Sequence, residues 1–118
     1  MSVDYKPGEW SVYHEPNDAT IATITKAAVS GQTHYITSIA GSIEGAANAA
    51  GVEFALYDGA TIIWAIKLTN IANTSQGFSL GGLNIRLTPG AAAKLATIET
   101  PAASSSATVA MTGYTATT

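Results

Sequence analysis

The segment Val52-Glu53-Phe54-Ala55-Leu56-Tyr57-Asp58-Gly59-Ala60-Thr61-Ile62-Ile63-Trp64-Ala65-Ile66-Lys67-Leu68 decides the fold class. Val52, Phe54 and Leu56 recur at every second position before an Asp-Gly pair. Ile62, Trp64, Ile66 and Leu68 do the same after it. Successive side chains of a strand point to opposite faces, so this alternation marks two half-buried antiparallel strands joined by a turn. Residues opposite each other in such a pair share a face. A two-residue loop at Asp58-Gly59 sets Phe54 opposite Ile63 and Leu56 opposite Thr61, which splits the two apolar sets between faces. A three-residue loop, Tyr57-Asp58-Gly59, sets Phe54 opposite Ile62 and Val52 opposite Trp64, which unites them. The sequence therefore predicts the three-residue loop, with Gly59 left-handed and Trp64 in the core. The other face, Glu53, Ala55, Thr61, Ile63, Ala65 and Lys67, is mixed. It is either lightly exposed or partly covered by another subunit.

The same alternation recurs along the chain. Residues 1–18 read as an extended N-terminal arm punctuated by Pro7-Gly8 and Pro16-Asn17-Asp18, with a short strand possible where Trp10, Val12 and His14 alternate with Ser11 and Tyr13. Residues 19–118 read as one domain. Ala19 to Val29 is rich in Thr and Ile and favours a strand. His34 to Glu44 is strand-like, with a change of phase between Ile36 and Ile39 that predicts a bulge or bend. Gly45 to Gly51 is a loop, and Asn70 to Gln76 another. Phe78 to Leu80, Leu83 to Leu87, Ala92 to Glu99 and Thr108 to Tyr114 follow as strands, an Ala-rich helix being the alternative at Ala92. In the last, Val109 and Met111 face inward and Tyr114 outward. Eight to nine short strands with regular turn signals and no long helix give an all-β class. The expected architecture is a jelly-roll-like antiparallel β-sandwich, with an immunoglobulin-like strand order as the alternative.

Composition narrows the function. The chain has 118 residues, enough for one domain with a real core. It is 47% hydrophobic but only 11% charged, against about a quarter charged in an ordinary domain. Ala, Thr, Ser and Gly make up much of the rest, which suits a chain that works inside an assembly. The net charge of -3 and the absence of a basic run argue against nucleic acid as a partner. There is no cysteine, so neither disulfides nor thiolate metal sites are expected. No apolar run is long enough to span a bilayer, and the first residues lack the apolar region of a secretory signal. A soluble product of the cytoplasm is expected, with no membrane partner. Asn73-Thr74-Ser75 matches a glycosylation sequon and reads as chance in that setting.

Reaction chemistry finds little purchase. His14 and His34 have no neighbouring ligands at metal-binding spacing, so no metal or other cofactor is expected. The acidic residues are scattered singly, and no nucleophile elbow, Walker A loop or dinucleotide fingerprint occurs. No enzymatic activity is expected. Trp64 belongs to the core by its phase. Trp10 and Tyr13, in the polar arm, are better placed to anchor onto another protein. Carbohydrate stacking is a minority reading, with Tyr57 at the turn as its most exposed member.

Several segments carry a resemblance. These are Glu9-Trp10-Ser11-Val12-Tyr13-His14-Glu15-Pro16, Ala22-Thr23-Ile24-Thr25-Lys26-Ala27-Ala28, His34-Tyr35-Ile36-Thr37-Ser38-Ile39, Tyr57-Asp58-Gly59, Leu80-Gly81-Gly82-Leu83-Asn84-Ile85 and Thr112-Gly113-Tyr114. Together they resemble small β-sandwich virion proteins of tailed bacteriophages, typically capsid decoration or cement proteins. The resemblance spans nearly the whole chain and rests on structural motifs. It implies a structural virion protein that binds the phage head, with the major capsid protein as partner and a homo-oligomer, trimer favoured, as its state. It places the protein in the virion, made in the host cytoplasm. Trp10, Val12, Tyr13 and His14 are the expected capsid- or subunit-binding residues. The alternatives are a particle-surface glycan-binding module for host adsorption and a minor tail or head–tail component.

Overall fold

The structure, a computed structural model, describes residues 8–117. Nine strands follow one another: β1 (Glu9–His14), β2 (Thr23–Lys26), β3 (Gln32–Gly45), β4 (Val52–Asp58), β5 (Thr61–Leu68), β6 (Thr74–Leu80), β7 (Ile85–Arg86), β8 (Ala93–Thr97) and β9 (Ser105–Thr117). One sheet runs β1-β9-β3-β6, with β7 also pairing β3. The other runs β2-β8-β4-β5. The antiparallel pairs are nested: β4 with β5, β3 with β6, β2 with β8, β1 with β9. The chain is thus one long antiparallel ribbon whose tip is the β4–β5 turn. Rolling the ribbon brings β3 against β9 and β4 against β8, which completes the two sheets. This is a jelly roll, as the strand pattern predicts.

The tip itself corrects the sequence reading. Asp58 pairs with Thr61, so the turn residues are Gly59 and Ala60 and not Tyr57-Asp58-Gly59. Gly59 is left-handed as expected, at φ 61°. A two-residue hairpin turn requires positive φ at that first central position, where only glycine sits without steric penalty. The ladder then slips by one residue. Tyr57 faces Ile62, but Leu56 faces Trp64, leaving Ile63 as the extra residue of a bulge. Trp64 therefore lies opposite Leu56, not Val52, and is half-buried at the rim of the core. The bulge does what a third loop residue was expected to do. It returns Trp64, Ile66 and Leu68 to the face of Val52, Phe54 and Leu56. Ile62 lies on the turn side of the bulge, shares the outward face of Tyr57 and stays 48% exposed.

A second bulge falls between Ile36 and Ser38, where β3 meets β9, and lets Ile36 and Ile39 both face inward. That is the phase change visible in the sequence. The core between the sheets is made by Ile36, Ile39 and Ile43 of β3, Phe54 and Leu56 of β4, Leu95 of β8, and Val109 and Met111 of β9. Phe78 of β6 meets Phe54 edge-on at 5.3 Å, and Trp64 packs on Phe78 at 5.5 Å.

One end of the roll is tied by two buried asparagines. The Asn70 side-chain Oδ1 accepts from the Asn48 backbone amide at 3.0 Å and from the Asn48 side-chain Nδ2 at 2.8 Å. Asn70 Nδ2 donates to the carbonyls of Ala46, Ile71 and Thr74. Asn48 Oδ1 accepts from the Ala102 amide at 2.7 Å. Three connections are thereby pinned together. β6 begins at Thr74, inside the segment read as loop, because Glu44 and Gly45 of the long β3 offer it a ladder. The segment Leu83–Leu87, read as a strand, pairs only over Ile85–Arg86.

Phe54 has no exposed surface and joins both sheets. Its replacement by alanine is expected to lower unfolding stability by about 3–5 kcal/mol, measured by urea denaturation followed through tryptophan fluorescence.

Candidate interaction surfaces

The residues expected to anchor the protein to its partner have different fates. Glu9–His14 is not an arm but the edge strand β1, paired along its whole length with β9. Residues 1–7 of the expected arm lie outside the described residues. Trp10 turns inward. Its indole lies over Gly113, where a side-chain carbon would come within 2.5 Å of the ring. Its Nε1 donates to Thr115 Oγ1 at 3.0 Å, and the ring meets His34 edge-on at 5.9 Å. His34 is 1% exposed. Its Nε2 sits 2.8 Å from the Ala27 carbonyl, which can only accept, so Nε2 carries the proton. Nδ1 then accepts from Thr115 Oγ1 at 2.7 Å. The Thr115 hydroxyl gives its proton to His34 and receives that of Trp10, so this buried polar chain is complete. Val12 packs against the core. His14 Nδ1 accepts from the Thr23 amide at 3.2 Å and stitches β1 to β2 across the two sheets. Of Trp10, Val12, Tyr13 and His14, Tyr13 points fully outward, at 74% exposure. Trp10 and Val12 are half-buried, because β9 supplies β1 with a ladder and the core takes its inner face. The alternation of Trp10, Val12 and His14 was the signal, and it is that of a strand.

The opposite side of the sandwich is open. β5 and β6 are the outer strands of their sheets there. Trp64, Ile66 and Phe78 close the core at this rim and remain half-buried. The same two strands expose Ile62 at 48% on the outward face, Ile63 at 42% in the bulge and Leu80 at 38%. β5 carries a single charge, Lys67, held by Glu99 at 3.8 Å. Charges, prolines or covering loops normally protect a sheet edge from pairing with another chain. This rim combines an edge strand with several large exposed apolar side chains, the pattern of a protein-binding surface.

The outer face of the β4–β5 sheet is better covered. Ala55 and Ala96 are buried on it. Lys94 lies 4.7 Å over the Tyr57 ring, so the residue offered as an exposed stacking platform is already occupied by a cation. Some of the acidic groups are engaged in structure. Asp58 accepts from the Thr88 amide and hydroxyl, and Glu99 from the Glu53 amide. Among the described residues, no group of three or more His, Cys, Asp or Glu stands together as a metal site.

No family model matches the chain, and no curated protein matches it. Several solved structures align with it at low similarity. Dimeric latent PorU from Porphyromonas gingivalis aligns with 91% of the chain at 11% identity and a TM-score of 0.47, and the chain spans 13% of that protein. A subunit of the disulfide-linked pili that form Bacillus endospore appendages aligns with 98% of both chains, at 13% identity and a TM-score of 0.42. The coat protein of Tobacco streak virus aligns with 96% of this chain and 90% of its own, at 12% identity and a TM-score of 0.37. The jelly-roll assignment rests on the strand pairing described above.

If Glu9–His14 is structural, a chain lacking residues 1–14 loses the Trp10 contact and the β1 ladder. Its stability is expected to fall by about 3 kcal/mol or more, the order of a lost buried aromatic, in urea denaturation. An unchanged midpoint would show a detachable arm instead.

Proposed function

We propose that this protein is a structural virion subunit, a decoration or cement protein that binds the head of a tailed phage and contacts the major capsid protein. The carrying observation is the open β5–β6 edge, where Ile62 and Ile63 of β5 and Leu80 of β6 are exposed on the two strands that carry half-buried Trp64 and Phe78. Burying such a rim removes apolar surface from water, worth about 25 cal/mol per Å² before the costs of association. The edge strand adds unpaired backbone groups that a capsid strand can satisfy. A subunit that binds the assembled shell and not its separated parts stabilises the shell by mass action. No reaction is required of it, and the reading is non-enzymatic. The sequence resemblance and the low charge support it. A homotrimer on a local three-fold position is part of this reading, since cyclic symmetry lets three identical rims meet neighbouring capsomers together.

Heads prepared without the protein and mixed with purified chain provide the test. The double variant Ile62→Asp, Leu80→Asp changes two exposed positions. Its own unfolding stability is expected to stay within about 0.5 kcal/mol per site. Its occupancy in co-sedimentation with heads is expected to fall at least about tenfold, a loss of roughly 1.4 kcal/mol. Full occupancy by this variant would overturn the β5–β6 rim as the docking surface.

A further inference from the structure

On the far side of the roll, the outer face of the first sheet holds a concavity of about 490 Å³ that the docking reading does not use. It is lined by the outward side chains of Glu9 and Ser11 of β1, Thr37 of β3, and Thr112 and Tyr114 of β9, while Trp10 and Gly113 between them turn inward. The strand pairing explains how they meet. Glu9 lies opposite Tyr114, Ser11 opposite Thr112, and Ser38 opposite Thr112 from the other side. The bulge at Thr37 adds a hydroxyl to that row: Thr37 Oγ1 lies 2.9 Å from Thr112 Oγ1, and Ser38 Oγ also bonds Thr112 Oγ1. Bulges often re-aim a side chain beside a functional site. Tyr114 is held upright by a parallel stack on Tyr35, with centroids 4.7 Å apart and planes within 5°.

We infer that this concavity is a binding site for a neutral saccharide. Its lining combines hydroxyls, one carboxylate and aromatic ring surface, with no cationic side chain among the described residues that line it. Each hydroxyl donates once and accepts twice, and the carboxylate accepts only. Such a set matches the alternating donors and acceptors of a sugar ring, with Glu9 suited to a vicinal diol. The C–H face of the ring suits the phenol ring of Tyr114. An acidic sugar, phosphate or sulfate would meet the Glu9 carboxylate with no cation among the described lining residues to offset it. A purely apolar ligand would cover the Glu9 carboxylate without satisfying it. The size falls within the range of small-molecule sites.

The test uses the isolated full chain, so it does not depend on docking to heads. Saturation-transfer NMR is run against methyl glucoside, methyl galactoside, methyl mannoside, N-acetylglucosamine, rhamnose, sialic acid and choline. Saturable binding is expected for at least one neutral sugar and not for sialic acid. Ser11→Trp fills the concavity from an exposed edge-strand position, and Glu9→Gln removes the acceptor-only carboxylate from another. Both are expected to keep the wild-type circular dichroism spectrum. Ser11→Trp should abolish the signal, and Glu9→Gln should weaken affinity at least about tenfold. No saturation by any neutral sugar, binding unchanged in Ser11→Trp, or binding of choline alone would overturn the assignment.

Discussion

A single antiparallel ribbon, rolled about the β4–β5 turn, keeps its apolar side chains between two sheets only if every strand stays in phase with its partners. A slip of one residue at any ladder would send an entire apolar row to solvent. Two bulges hold that phase. Ile63 absorbs one residue after the Gly59–Ala60 turn, so that Trp64 and Ile66 face the same way as Leu56 and Phe54. Thr37 absorbs another, so that Ile36 and Ile39 both reach the core against β9. The rest of the molecule depends on these corrections, because the nested pairs from the tip to the termini inherit their register from them.

The same rolling gives the two sides of the sandwich different characters. At the β1–β2 side, His14 joins the strands and the Trp10–Thr115–His34 chain fills the gap with satisfied polar groups. At the β5–β6 side, Trp64 and Phe78 meet without a comparable closure, and the same strands expose isoleucines and a leucine. One side is closed within the chain and the other leaves large apolar side chains in water. Each bulge also lies beside a candidate surface: Ile63 at the apolar rim, Thr37 at the hydroxyl-lined concavity. A device that maintains core register thus also shapes what is presented outward.

Much of the architecture was legible as alternation. Val109 and Met111 face inward and Tyr114 outward, and the phase change between Ile36 and Ile39 is a bulge. These positions carry strong contrast between large apolar and small polar side chains. The β4–β5 turn was not legible in detail, since a two-residue loop with a bulge and a three-residue loop both unite the same apolar sets. The buried Asn48–Asn70 pair was also invisible, because asparagines in polar segments look like ordinary turn residues until three connections converge on them. Trp10 was misplaced for a related reason. A tryptophan flanked by proline and polar residues resembles an anchor when its ladder partner lies at the other end of the chain.

The sequence by itself determined the all-β class, the period-two core faces and the left-handed glycine at the ribbon tip. These follow from local chemistry: side-chain alternation along a strand and the steric freedom of glycine. The tertiary structure alone decided which strands became edges, and therefore which apolar residues remained in water. It decided that Trp10 belongs to the core, because β9 arrives beside β1 and offers Gly113 as the floor for the indole. It also assembled Glu9, Ser11, Thr37 and Thr112, which lie far apart in sequence, around one concavity. Strand pairing at long range is a property of the whole roll, and no short stretch of residues encodes it.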